Sequence, residues 1–238
     1  MTLERLRSSA AHVLVDPGAL DDRAIVLSED DAHHLRRVLR LRSGAAVTAT
    51  DGAGDWIDTE VVFGDNGSTE LRPTSDRQHA PRIAPVEIAA AIPKGDRLEW
   101  MAQKVTELGA ATLVLLDADH SVVRWPPERV ERHLARLQRI ADEALRQSRR
   151  TWRLDVAGPT TAIDYVAAGA ADITGPVIAE PGGRALTEDD RCVAIGPEGG
   201  WSERELDAAG ERVDLGATIL RTETAAVAVA ARCVTISR

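Results

Sequence analysis

A change of pattern between Arg77 and Pro85 divides the 238-residue chain and restricts it to folds built in two parts. Before the break lie short β-like runs, His12 to Val15, Ala24 to Leu27, Val47 to Thr50, Ile57 to Phe63 and Glu70 to Arg72, with turn signals at Asp51-Gly52 and Asn66-Gly67. Even spacing of this kind predicts a small β-barrel over residues 1–78. Ser28 and Asp31 form a pair of capping-box type that opens a short helix carrying Arg36, Arg37, Arg40 and Arg42. After the break, strand-like and helix-like segments alternate, which predicts an α/β domain over 79–238 with a parallel sheet covered on both faces. Strands read at Val86 to Ile92, Thr112 to Leu116, Pro176 to Ala179, Cys192 to Ile195 and Val213 to Leu215. One helix follows Asp96, placed as its cap with Glu99 at the third position, and stops at Gly109. Others run from Pro127 to Gln147, after the Ser202 cap with Glu205, and from Thr222 to Cys233.

Composition removes several classes of function. One Phe and one Tyr beside five Trp leave no set of rings for stacking single-stranded RNA on a sheet. Cys192 and Cys233 stand apart, with no CxxC and no Cys/His cluster, so neither a metal site nor a disulfide framework is expected and reduced thiols in a cytoplasm are. No apolar stretch is long enough for a membrane span or a signal segment, so no membrane partner is expected. The net charge is −9, yet from His120 to Arg153 nine Arg face four acids, whereas residues 1–80 are acidic. Two readings of the basic stretch stand: neutralisation of phosphates, or a solvated helix face with Glu/Arg pairs.

In open α/β sheets ligands gather beyond the carboxyl ends of strands. Three segments follow strands there: Glu180-Pro181-Gly182-Gly183, Gly196-Pro197-Glu198-Gly199-Gly200, and Leu215 to Arg221. Glycine and proline allow main chain to approach a ligand, though each segment also suits an ordinary βα turn. The second segment has neither the Gly-Lys-Ser/Thr of a phosphate loop nor GxGxxG spacing, and Glu198 would repel a phosphate. A neutral or cationic ligand held by main chain fits it better.

Taken together, Gly196 to Gly200, Leu215-Gly216 to Ala226, Pro93-Lys94-Gly95-Asp96-Arg97, Lys104 to Gly109, His34 to Arg40 and Ala144 to Arg150 resemble the RsmE family of 16S ribosomal RNA uridine N3-methyltransferases, within the SPOUT superfamily. His120 stands where that family usually carries an arginine, and Arg149 where it usually carries a glycine. The resemblance implies a PUA-like N-terminal barrel and a C-terminal α/β domain with a trefoil knot. It also implies S-adenosylmethionine (SAM) as cofactor, 16S rRNA in the small ribosomal subunit as partner, and a homodimer. Carried over residue by residue, the cofactor would meet Glu180, Pro181 and Gly182, then Gly196, Pro197, Glu198, Gly199 and Gly200, then Leu215, Gly216, Ile219, Leu220 and Arg221.

Uridine N3 bears a proton, so its methylation needs a base or a cation that stabilises the uracil anion. Arg221 is the expected cation, and Glu198 and Glu223 are the candidate bases, at least one of them structural. Arg36, Arg37, Arg40, Arg42, Arg146, Arg149 and Arg150 are the expected RNA contacts, each with a surface salt bridge as the rival role. The alternatives are a SPOUT enzyme acting on a ribose 2′-oxygen and an RNA-binding or assembly factor without transferase activity. The small side chains from Thr224 to Ala231 suit either a subunit interface or packing within one chain.

Overall fold

The computed structural model describes residues 2–65, 67–82, 85–169 and 175–235. The turn at Asn66 and part of the Arg77 to Pro85 break therefore lie outside the described residues. Two compact units are present, one of residues up to Arg82 with Leu145–Arg153, the other of the segments up to Ala144 and from Leu154.

In the first unit, α1 (Thr2–Ser8), β1 (Ala11–Leu14), β2 (Ile25–Val26), α2 (Glu29–His33), β3 (Ala46–Thr50), β4 (Asp55–Phe63), β5 (Thr69–Pro73) and β6 (Gln78–His79) follow in order. The five expected strands are present, and α1 and β6 are additions. Strand order is β1-β3-β4-β5-β2, with β6 also on β4; β1 and β3 run parallel and the rest antiparallel. Alternation along β3 and β4 sends Val47, Ala49, Ile57 and Val61 to a core shared with Val13, Leu35 and Leu71. Ser28 does cap α2, its hydroxyl accepting from Asp31 N at 3.2 Å.

The second unit adds β7 (Glu87–Ala91), α3 (Arg97–Leu108), β8 (Thr112–Asp117), α4 (Pro127–Ser148), β9 (Asp155–Thr161), α5 (Ala162–Gly169), β10 (Val177–Ala185), β11 (Cys192–Ile195), α6 (Glu203–Ala208), β12 (Arg212–Asp214) and α7 (Thr222–Thr235). Its six strands are all parallel, in the order β12-β10-β11-β7-β8-β9. Both faces are covered. Ile88, Ala90, Val193 and Ile195 point to α3, α4 and α7 on one side, while Ala89, Val114, Ala194 and Ile178 pack with Val166 and Trp201 on the other. Two elements, β9 and α5, carry no clear periodic signal and are absent from the sequence-based expectation.

Two expectations need correction. Asp96 does not cap α3 through its side chain: its backbone is already helical, at φ −73° and ψ −4°, and no capping hydrogen bond forms. Glu180 to Gly183 is not a turn after a finished strand but an excursion inside β10. Val213 of β12 pairs with Ala179 before it and with Arg184 after it. Along α7, Ala225, Ala226, Val229, Ala230 and Cys233 are buried in this chain's own core.

Arg149 closes α4 with φ +61°, and Arg150 N bonds Leu145 O at 3.1 Å, a Schellman closure that favours glycine at the left-handed position. Its guanidinium donates to Ser9 O at 3.0 Å. Arg149→Gly should therefore be more stable than Arg149→Ala by about 1 kcal/mol, because both lose that bond and only alanine keeps the strain. Equal urea midpoints would contradict this.

His12 is buried, with Nε2 at 2.8 Å from Arg150 O and Nδ1 at 2.7 Å from Thr48 Oγ1. A carbonyl only accepts, so Nε2 carries the proton and Nδ1 accepts from Thr48. Burial pushes the imidazole down to about 4 from 6.5. Between those values the unfolded chain binds the proton and the folded chain does not, so stability is complete above pH 6.5 and falls with pH through that window, by about 3 kcal/mol at most. Urea unfolding from pH 7 to 4 should show this loss, and His12→Gln should flatten it; an unchanged slope in the variant would assign the loss elsewhere.

Candidate functional site

The order of the parallel sheet places its switch point between β7 and β11, the adjacent strands whose connections leave in opposite directions. The excursion within β10 and the segments beyond the carboxyl ends of β11 and β12 meet around one cavity of about 260 Å³. Ala179, Glu180 and Pro181 form one wall. Ile195, Gly196, Pro197, Glu198, Gly200 and Trp201 form a second, and Asp214, Leu215, Gly216, Thr218, Ile219 and Leu220 a third, with Thr222 and Ala225 of α7 at the base. Of the thirteen residues expected to meet a cofactor, Gly182, Gly199 and Arg221 do not line it.

Each wall is tied to another by a specific contact. Trp201 Nε1 donates to Ala179 O at 3.0 Å, and its ring lies so close to Gly196 that a Cβ there would be 2.9 Å from it. Thr222 Oγ1 donates to Gly196 O at 2.8 Å. The Asp214 carboxylate accepts from Gly182 N at 2.9 Å and from Gly216 N at 2.8 Å. These two amides hold its carboxyl below the ordinary carboxylate value, Gly216 being the stronger cause. Gly183 lies against β12, where a Cβ would be 2.6 Å from the Arg212 carbonyl carbon and oxygen.

A second network supports the middle segment from behind. Ser202 caps α6 in a full capping box with Glu205, and the Glu205 carboxylate also accepts from Asp119 N at 2.8 Å. Ser202 Oγ donates to Asp119 at 2.5 Å, and Arg204 pairs with the same carboxylate, which these two partners, Arg204 first, hold well below the usual range. His120 Nδ1 lies 3.2 Å from the carbonyls of both Gly199 and Gly200, and a Cβ on Gly199 would be 3.0 Å from His120 Cβ.

The candidate reacting groups fall into two sets. Glu198 and Glu223 are brought together by Arg97, whose Nη1 is 2.9 Å from Glu198 and 3.5 Å from Glu223. Arg221 is exposed at the start of α7, between the cavity residues Leu220 and Thr222. The cavity wall holds three carboxylates, Glu180, Glu198 and Asp214, and no Lys, Arg or His. Ile219, on this wall, is 83% exposed. Sequence reading missed Asp214, Trp201, Thr222 and Arg97 as site residues. Asp214 ends β12, immediately before the third segment, whereas the others matter through contacts between distant segments.

In the first unit Arg37, Arg40 and Arg42 are exposed. Arg36 lies over the Phe63 ring at 4.7 Å and donates to Ser68 O, and Arg146 is 3.5 Å from Asp31. Arg149 is taken up by Ser9, and burial followed by the neighbouring Arg82 charge pushes the Arg150 guanidinium down to about 10. The structure does not bring the seven expected RNA-contact arginines together as one free set. Among the described residues there is no cluster of His, Cys, Asp and Glu able to hold a metal, and no helix is long and apolar enough to cross a membrane.

Residues 80–234 match the RNA methyltransferase domain family and residues 27–72 the RNA methyltransferase PUA domain family. The chain is 30% identical over 230 residues to ribosomal RNA small subunit methyltransferase E of Synechocystis, covering 91% of this chain and 74% of that one. It is 32% identical over 243 residues to the protein of that name from Mycobacterium tuberculosis, covering 94% and 90%. Among solved structures, a probable rRNA-methyltransferase from Porphyromonas gingivalis superposes with a TM-score of 0.74 at 28% identity, covering 92% of this chain and 95% of that one. A ribosomal RNA small subunit methyltransferase E from Neisseria gonorrhoeae bound to S-adenosyl methionine has the same fold, with a TM-score of 0.77 at 24% identity and coverage of 93% and 95%.

Trp201 is both core and site wall, so Trp201→Ala should cost about 3 kcal/mol or more, while Trp201→Phe, which keeps most of the packing and loses the bond to Ala179, should cost about 1–2 kcal/mol. Urea unfolding of the two variants checks the order; equal costs would mean that the ring does not hold these walls together.

Proposed function

The chain belongs to the ribosomal RNA small subunit methyltransferase E family, with an RNA methyltransferase domain preceded by a PUA domain, and from that premise we propose that it moves a methyl group from SAM to N3 of a uridine in 16S rRNA. The observation that carries this reading is the convergence of three main-chain bends on a cavity with three carboxylates and no basic side chain. A sulfonium donor is cationic, so such a wall attracts it. A nucleotide cofactor bearing phosphates would be repelled by the same wall.

In this reading the donor lies against Glu180 and Pro181, against Gly196, Pro197, Glu198 and Gly200, and against Leu215, Gly216, Ile219 and Leu220, and the segment from Leu215 threads the trefoil knot of the SPOUT class. The chemistry needs an in-line approach and loss of the N3 proton. Glu198 is the base, because it reaches the cavity wall and is partly exposed, whereas Glu223 is buried. Arg221 stabilises the uracil anion as the proton leaves. N3 sits on the Watson-Crick edge, so the target uridine must be unpaired when it reacts. Arg37, Arg40 and Arg42, exposed on the first unit, supply phosphate contacts, and the enzyme works in the cytoplasm as a homodimer on the small ribosomal subunit.

Two measurements test the reading. Calorimetry should show SAM bound by the purified protein. Mass mapping of 16S rRNA from cells without the protein should show one uridine base lacking a methyl that the enzyme and labelled SAM restore. Arg221→Ala should bind SAM nearly as the native protein does and lose about 100-fold in turnover. Label on a ribose 2′-oxygen would move the protein to the alternative chemistry, and RNA binding without SAM binding would make it an assembly factor.

A further inference from the structure

Arg97 opens α3 just after β7, and Glu198 lies in the segment after β11, so the two face each other across the switch point of the sheet. Arg97 Nη1 is 2.9 Å from Glu198 Oε1 and 3.5 Å from Glu223 Oε1, and Nε donates to Lys94 O at 3.1 Å. The two carboxylates differ in access. The Glu198 side chain is 42% exposed and the Glu223 side chain 8%, and Glu223 Oε2 is buried with no hydrogen-bond partner. A buried carboxylate oxygen left unpaired forfeits its hydration without replacement, so it is either strain or spare capacity for a donor. The donor within reach is the Arg97 guanidinium, which has five N–H groups and already bridges the pair.

Given the methyl-transfer reading in which Glu198 takes the N3 proton, we propose that Arg97 and Glu223 are positioning residues for Glu198. Arg97 aims the Glu198 carboxylate, and Glu223 receives the guanidinium when Glu198 becomes neutral. In the reaction the N3–H bond breaks and its proton goes to Glu198. The N3 electron pair forms the new bond to the methyl carbon, and the S–CH₃ bond breaks with its electron pair left on sulfur, giving a neutral thioether. Protonated Glu198 no longer balances Arg97, and the guanidinium moves toward Glu223, whose free oxygen completes a two-point pair. Once product leaves, Glu198 gives its proton to water and recovers the guanidinium. The cation thus stays paired in both states.

Single-turnover methylation of 16S rRNA by the full chain separates this role from a merely structural one. Arg97→Ala should lower the rate about 30-fold while leaving the SAM Kd within about threefold, and Arg97→Lys should recover part of the loss. Added millimolar guanidinium should speed Arg97→Ala and leave Glu198→Gln unchanged. Glu223→Gln, nearly the same shape, should slow transfer about fivefold with SAM binding intact, and it carries the test if Arg97→Ala does not fold. Arg97→Ala or Glu223→Gln at the native rate, or a loss in Arg97→Ala that tracks SAM affinity and resists guanidinium, would overturn the proposal. Glu198→Gln at the native rate would instead remove the base assignment on which it stands, whereas an inactive Glu198→Gln beside a fully active Arg97→Ala would remove the Arg97 role alone.

Discussion

The site depends on the main-chain contact between Gly183 and Arg212. Val213 can pair with Ala179 and again with Arg184 only because residues 180–183 leave the sheet and return within a few residues, and the return brings Gly183 against the Arg212 carbonyl where no Cβ fits. Arg184 then fixes the return limb, its guanidinium meeting Asp190 at 2.6 and 2.9 Å and Glu211 at 2.6 and 2.9 Å. With that excursion held, Asp214 at the end of β12 can reach Gly182 N on one side and Gly216 N on the other. The first and third bends are thus joined by one carboxylate, and Trp201 joins the first to the second, through Ala179 O and its contact with Gly196.

Electrostatics around this frame are divided. The wall of the cavity is acidic, and Arg97, which does not line it, is paired with the carboxylates of Glu198 and Glu223. The exposed Arg221 sits at the rim. In the proposed reading a cationic donor is drawn to the wall and an anionic acceptor is met by Arg221. The network of Ser202, Arg204, Glu205 and Asp119 ties the start of α6, which follows the middle segment, to the residues after β8.

Much of the architecture was legible. Short β-like and apolar runs located every strand except β6 and β9, though not the far end of β10, and Gly109 and Ser202 marked helix ends because a left-handed backbone and an N-cap have strict residue preferences. Asp96 misled because an acidic residue before a helix is common whether or not its side chain turns back to cap it. The strand β9 and helix α5 were missed because their residues show neither period cleanly. Of the site, the bends were readable as glycine and proline clusters. Arg97, Trp201 and Thr222 were not, since nothing local in their segments distinguishes them from residues of an ordinary helix or turn.

The seven arginines expected at RNA show the same limit. Sequence gives their charge and helical spacing but not their partners, and Arg36, Arg146, Arg149 and Arg150 are drawn into the first unit by Phe63, Asp31, Ser9 and burial. By itself the sequence determined the two patterns, the parallel class of the larger sheet, and the three bends, because each follows from the backbone preferences and periodicity of neighbouring residues. Only the tertiary structure decided that the bends close on one cavity, that Glu180 to Gly183 interrupts a strand, and that Arg97 stands between Glu198 and Glu223. Those facts depend on strand order and on contacts between residues about a hundred positions apart, such as the pair Arg97 and Glu198, and no local preference encodes them.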